Sequence, residues 1–162
     1  MKRMAALLLC WGSMAMISAA TASAAEPPDL RRVLAAWADT WRTGNVDRMM
    51  AFYDDSRTTV LIESRGVMHR GTAAIRLYYH NALTQMVWEK VELEELEIDR
   101  HGDTAWAVFR FKGEGQAKDP AVPLAFDFRG TIVFKWDGRA WRIVQEHLSP
   151  IADVPRVRTR QL

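Results

Sequence analysis

Cysteine is almost missing from this chain: of 162 residues only Cys10 carries a thiol. That excludes intrachain disulfides and every paired-thiol chemistry. A long apolar run is missing as well. The longest, Met4 to Ile17, is about 14 residues, short of the roughly 20 that a helix needs to cross a bilayer core, and no second one follows, so no membrane span is expected. Charge of one sign is not in excess either, with 22 basic and 20 acidic residues. Lys2 and Arg3 account for that difference, and without them there is no basic surplus of the kind that nucleic-acid binding uses. No glycine-rich phosphate loop follows a strand, and no serine sits in a nucleophile elbow. The four histidines His69, His80, His101 and His147 repeat no metal-ligand spacing. No metal and no cofactor is expected.

What is present starts with an address. Met-Lys-Arg, an apolar stretch and then Ala22-Ser23-Ala24 have the three-part layout of a cleavable signal, which predicts removal of residues 1–24 and a periplasmic or secreted protein. Three leucines before Cys10 argue against a lipid anchor there. Residues 29–151 read as one domain, and 152–162, with Arg156, Arg158 and Arg160, as a basic flexible tail.

Asp29 is placed to cap a helix with Leu30, Val33, Leu34, Trp37 and Trp41 on one face, ended by Gly44. Asn45 caps a short second helix, and a third is predicted from Thr72 through Met86, after short strands near Val60–Ile62 and Val67–Arg70. From Val87 the period falls to 2. Four strands are predicted, at 87–98, 104–112, 124–136 and 139–149, with Gly113 to Pro123 as a loop. The expected class is α+β, with helices packed on an antiparallel or mixed sheet.

Asp137-Gly138 is a strong two-residue hairpin signal, and it serves as a ruler. Counted back from it, Phe134 faces Trp141, Ile132 faces Ile143, Phe128 faces His147 and Phe126 faces Ser149. On this count His147 points inward beside Phe126 and Phe128, either as a core histidine or as a pocket base able to move a proton near neutrality. The same count puts Arg129 opposite Glu146 on the polar face, as an ordinary cross-strand ion pair. Arg110 lies on a strand that is apolar on both sides near its start, so either face is open to it. The tryptophans, Trp106 included, read as core.

The closing segment Trp141, Ile143, Val144, His147 and Ser149 resembles the end of SnoaL-like domains of the nuclear transport factor 2 superfamily. So do Trp41 followed by Tyr53, Asp54 and Asp55, then Arg70-Gly71 before Ile75, and Gly102-Asp103-Thr104-Ala105-Trp106. The resemblance covers nearly all of Leu30 to Ile151. It implies three helices closing one side of a strongly curved sheet, a cone with an apolar pocket, and a homodimer through the sheet's outer face. It also implies a function range that runs from isomerases, cyclases and dehydratases to binding and oligomerisation modules. The site set expected to reach the pocket is His147, Arg110, Tyr53, Tyr79, Phe126, Phe128, Asp54 and Glu63. The leading expectation is binding of a small apolar or weakly acidic molecule without a cofactor. The alternatives are a cofactor-free isomerase, cyclase or dehydratase with His147 as proton shuttle, and an accessory module with no chemistry.

Overall fold

The computed structural model describes residues 27–151. The expected signal and the basic tail lie outside these residues.

Helix α1 (Leu30–Thr43) begins where the Asp29 carboxylate accepts the Arg31 amide at 2.9 Å, and ends at Gly44 in the left-handed conformation. Helix α2 (Val46–Met50) is capped in the same manner by Asn45, which accepts the Arg48 amide. Strands β1 (Val60–Ile62) and β2 (Met68–Arg70) form a small hairpin before α3 (Thr72–Thr84). Thus α3 follows two strands, and the three helices do not form a single N-terminal block.

Four long elements complete the chain: β3 (Met86–His101), β4 (Thr104–Lys118), β5 (Ala121–Trp136) and β6 (Trp141–Pro150). They make an antiparallel meander, and β6 then pairs parallel with β1, so the six-stranded sheet runs β2-β1-β6-β5-β4-β3 and does not close. Register shifts in β3 and at the β5–β6 junction add the local bends of a curved sheet. The inner face is covered by α1 and α3. Trp37, Phe109, Phe111, Phe134, Leu34, Ile75, Tyr79 and Ile143 lie fully buried between the layers. Each such side chain contributes about 1.5–3 kcal/mol by leaving water.

Two expectations from the sequence are corrected here. Gly113 to Pro123 is not a loop, because β4 and β5 run on through it and pair as far as Lys118 with Ala121. Gly113 serves close packing within the strand: a Cβ there would meet the Phe126 ring at 2.3 Å.

The second correction concerns the ruler. The reversal holds four residues, not two, so Trp136 faces Trp141 and Phe134 faces Ile143. Asp137 enforces this, since one carboxylate oxygen accepts the amides of Arg139 and Ala140 at 2.8 and 2.7 Å, and the other accepts Arg142 Nε at 2.8 Å. A shift of two leaves the faces unchanged. Beyond it, however, Val133 pairs with Gln145, so Val144 is an extra residue and a bulge. That one residue turns the rest of β6 over. Glu146 and Leu148 point inward and are buried, whereas His147 is exposed and pairs with Thr131.

Candidate functional site

The bulge sets the polar centre of the molecule. Before Val144, both backbone groups of Ile143 bind the segment after α2: its amide donates to the Phe52 carbonyl at 2.7 Å and its carbonyl accepts the Asp54 amide at 2.9 Å. After it, β6 lies along β1, with Glu146 beside Leu61. Tyr53 is thereby held next to Glu146, and α3 brings Tyr79 to the same carboxylate. The Tyr79 hydroxyl lies 3.0 Å from both carboxylate oxygens, the Tyr53 hydroxyl donates to Oε2, and the two hydroxyls are 2.7 Å apart.

Glu146 has no solvent exposure. Burial disfavours its charged form and pushes its pKa up to about 7, against the opposing pull of the two phenol hydrogen bonds. Burial and the nearby carboxylate hold both phenols well above their ordinary range, so they stay protonated as donors. This cluster joins α3, the Tyr53 segment and β6 from within.

A cavity of about 590 Å³ lies on the other side of this wall, between α3, the β1–β2 turn and the ends of β3 and β5. Trp41, Trp88, Phe126, Phe128, Leu124 and Met86 supply its apolar lining; Glu63, Arg65, His69, Tyr78, Asn81 and Gln85 supply its polar one. The aromatic side is locked by ring contacts, with Trp88 edge-on to Phe126 at 4.8 Å and Trp41 tilted against Phe126 at 6.3 Å between centroids, and Phe126 stacks on Phe128 at 5.0 Å. On the polar side the His69 ring lies 5.0 Å from that of Tyr78, and the His69 Nε2 atom is buried without a hydrogen-bond partner. Glu63 opens the β1–β2 turn, where its amide donates to the Val67 carbonyl. Its side chain is nearly buried, and its carboxylate is met by Arg65 Nε at 3.1 and 3.2 Å.

Of the expected pocket residues, Phe126, Phe128 and Glu63 line this cavity. Tyr53 and Tyr79 do not; they face Glu146 behind it. Asp54 holds Ile143 through its backbone amide. Arg110 lies on the outer face, locked by two hydrogen bonds to Asp127 at 2.8 and 2.5 Å. His147 is exposed, on the face opposite Glu146. The expected Arg129–Glu146 pair does not form: Arg129 binds Glu95 at 3.0 Å, and Glu146 binds the tyrosines. Trp106 is not core, being 39% exposed.

The residues missed from the sequence are Glu146 as a buried acid and His69 and Tyr78 as cavity walls. One signal for Glu146 was legible. A regular alternation places Leu148 on the polar face, and that misfit marks the change of phase after Ile143.

Among the described residues no three His, Cys, Asp or Glu side chains gather as a metal site, and no helix is long and apolar enough to cross a membrane.

Comparison with known proteins agrees with this architecture. Among curated protein sequences none matches the chain. Solved structures do: a nuclear transport factor 2-like superfamily protein from Salmonella enterica serovar Typhimurium has a TM-score of 0.69 at 19% identity, over 80% of this chain and 93% of that one. A ketosteroid isomerase-like protein from Erwinia carotovora atroseptica gives 0.64 at 14%, over 75% and 93%. An uncharacterised protein with a cystatin-like fold from Caulobacter vibrioides gives 0.63 at 18%, over 76% and 88%. At these identities the likeness is one of fold. The family profile that matches is that of the SnoaL-like domain, over residues 30–153. With nearly the whole described chain inside that match, the protein belongs to the SnoaL-like domain family, within the nuclear transport factor 2-like fold.

Proposed function

We propose that this chain binds a small, largely apolar molecule in the cavity between α3 and the sheet. The observation that carries the reading is the cavity itself: about 590 Å³, walled by the core tryptophans Trp41 and Trp88 and the half-buried Phe126 and Phe128, with a few polar groups gathered at one side. That volume lies within the range of ligand sites, and the mixture of apolar wall and few polar groups is the one that orients a bound molecule. A weakly acidic ligand loses its support, because Arg110 is turned away and engaged by Asp127. The isomerase reading through His147 loses its proton shuttle for the same kind of reason, since His147 stands on the exposed face of β6.

The test is native mass spectrometry of the purified protein, beside an Ala82→Phe variant that fills the cavity. The expected outcome is a co-purifying small molecule on the wild type and its loss from the variant. A ligand that stays equally bound to the variant would place the site elsewhere and overturn the reading.

Two further proposals concern the setting. The layout of residues 1–24 supports action outside the cytoplasm, and cell fractionation of the tagged full chain should recover a shortened form there. A homodimer through the outer sheet face is supported by Trp106 on β4, which stands exposed beside Val133 and near Val108.

A further inference from the structure

The cavity holds an imbalance of charge. Glu63 is only 3% exposed, yet Arg65, the one cation on its carboxylate among the described residues, has a side chain 82% exposed. A buried carboxylate needs a partner that has also left water, because its lost hydration is otherwise uncompensated. Arg65 meets it from the solvent side, so its guanidinium keeps most of its own hydration.

Among the described residues the lining holds no other arginine or lysine, and its histidine, His69, makes no hydrogen bond to Glu63 and keeps its buried Nε2 unpartnered. Tyr78 carries a phenol held above its ordinary range, by burial first and then by the nearby carboxylates Glu146 and Glu63, so it stays neutral. Asn81 and Gln85 offer amide oxygens as well as amide protons. Across the cavity stand the rings of Trp41, Trp88, Phe126 and Phe128, and an aromatic face attracts a cation placed over it. A carboxylate on one side and aromatic faces on the other form a place for positive charge on an apolar body.

Resting on the binding reading above, we infer that the ligand of this cavity is an apolar organic cation, an amine or quaternary ammonium, whose charge sits between Glu63 and the aromatic wall. Arg65 then acts as a displaceable counter-ion at the rim.

The experiment titrates the full chain with three probes of similar size, followed by tryptophan fluorescence, to which Trp41 and Trp88 report directly. The probes are phenyltrimethylammonium, its uncharged isostere tert-butylbenzene, and benzoate. The expected order places the cation at least about tenfold tighter than the neutral isostere, with benzoate weakest. Glu63→Gln should remove the preference for the cation and leave tert-butylbenzene unchanged. Arg65→Ala, at an exposed side chain, should tighten phenyltrimethylammonium severalfold, and it serves alone if the Glu63 variant does not fold. If the neutral isostere binds as well as the cation, or if Arg65→Ala weakens the cation, the charge inference falls and the cavity reading stands. If none of the three binds, the cavity reading falls with it.

Discussion

Val144 and Glu146 show how much one position can decide. Without the extra residue, Glu146 would face outward, where a carboxylate costs nothing, and Tyr53 and Tyr79 would have no acceptor between them. With it, the acid is enclosed and its pKa stands at about 7, against 4.5 in an unfolded chain. A group raised in this way leaves stability intact below about pH 4.5, where both states are protonated. Stability then falls as pH rises through about 7, because only the unfolded chain ionises freely over that interval. The loss is on the order of 3 kcal/mol between pH 4.5 and 8. Urea unfolding measured across this range should show it, and Glu146→Gln should flatten the profile above pH 5 while Tyr53 and Tyr79 keep a hydrogen-bond partner. A wild-type stability that climbs steadily from pH 5 to 8 would contradict this account.

At the scale of elements, helices and short strands were legible in the sequence because their signals are local. Asp29, Gly44 and Asn45 cap where they were expected to cap, and α3 starts at Thr72 as its apolar spacing predicts. What was illegible depended on partners distant in the chain. Glycines at 113 and 115 read as loop residues, whereas both are places where a neighbour comes too close for a side chain. At Gly115 a Cβ would lie 2.1 Å from the Val87 carbonyl oxygen, which is backbone and cannot swing aside. Gly115→Ala should therefore push β3 away from β4 and lower the melting temperature, with a stability loss of about 1–3 kcal/mol. Circular dichroism melting compared with Gln116→Ala, at a neighbouring exposed site, isolates the effect. In the same way, the hairpin signal at Asp137-Gly138 was real, but the Asp137 side chain folds a longer reversal than the dipeptide alone suggests.

For the whole molecule, the class and most of the aromatic core followed from pattern, and the family followed from the resemblance of its segments. The placement of His147 and of the Arg129–Glu146 pair did not, because it rested on a register count carried across the bulge at Val144. The outer face keeps charged pairs, Arg110 with Asp127 and Lys112 with Glu94, beside the exposed indole of Trp106. Should this face join two copies, Trp106→Glu would place a carboxylate at the contact and shift light scattering from a dimer to a monomer mass at micromolar protein. A wild-type monomer at that concentration would remove the dimer proposal and leave the cavity reading untouched.

The position of β6 in the sheet has a kinetic meaning. β1 and β2 come early in the chain and β3 to β5 form a meander of their own, yet only the final strand touches both groups. Until residues 141 to 150 are in place, the sheet is two fragments with open edges, and the acid that organises Tyr53 and Tyr79 is missing. Folding of this domain is thus a late event that waits on its last strand. A chain cut before Trp141 should be a target for proteases and aggregation and not a smaller version of the same protein.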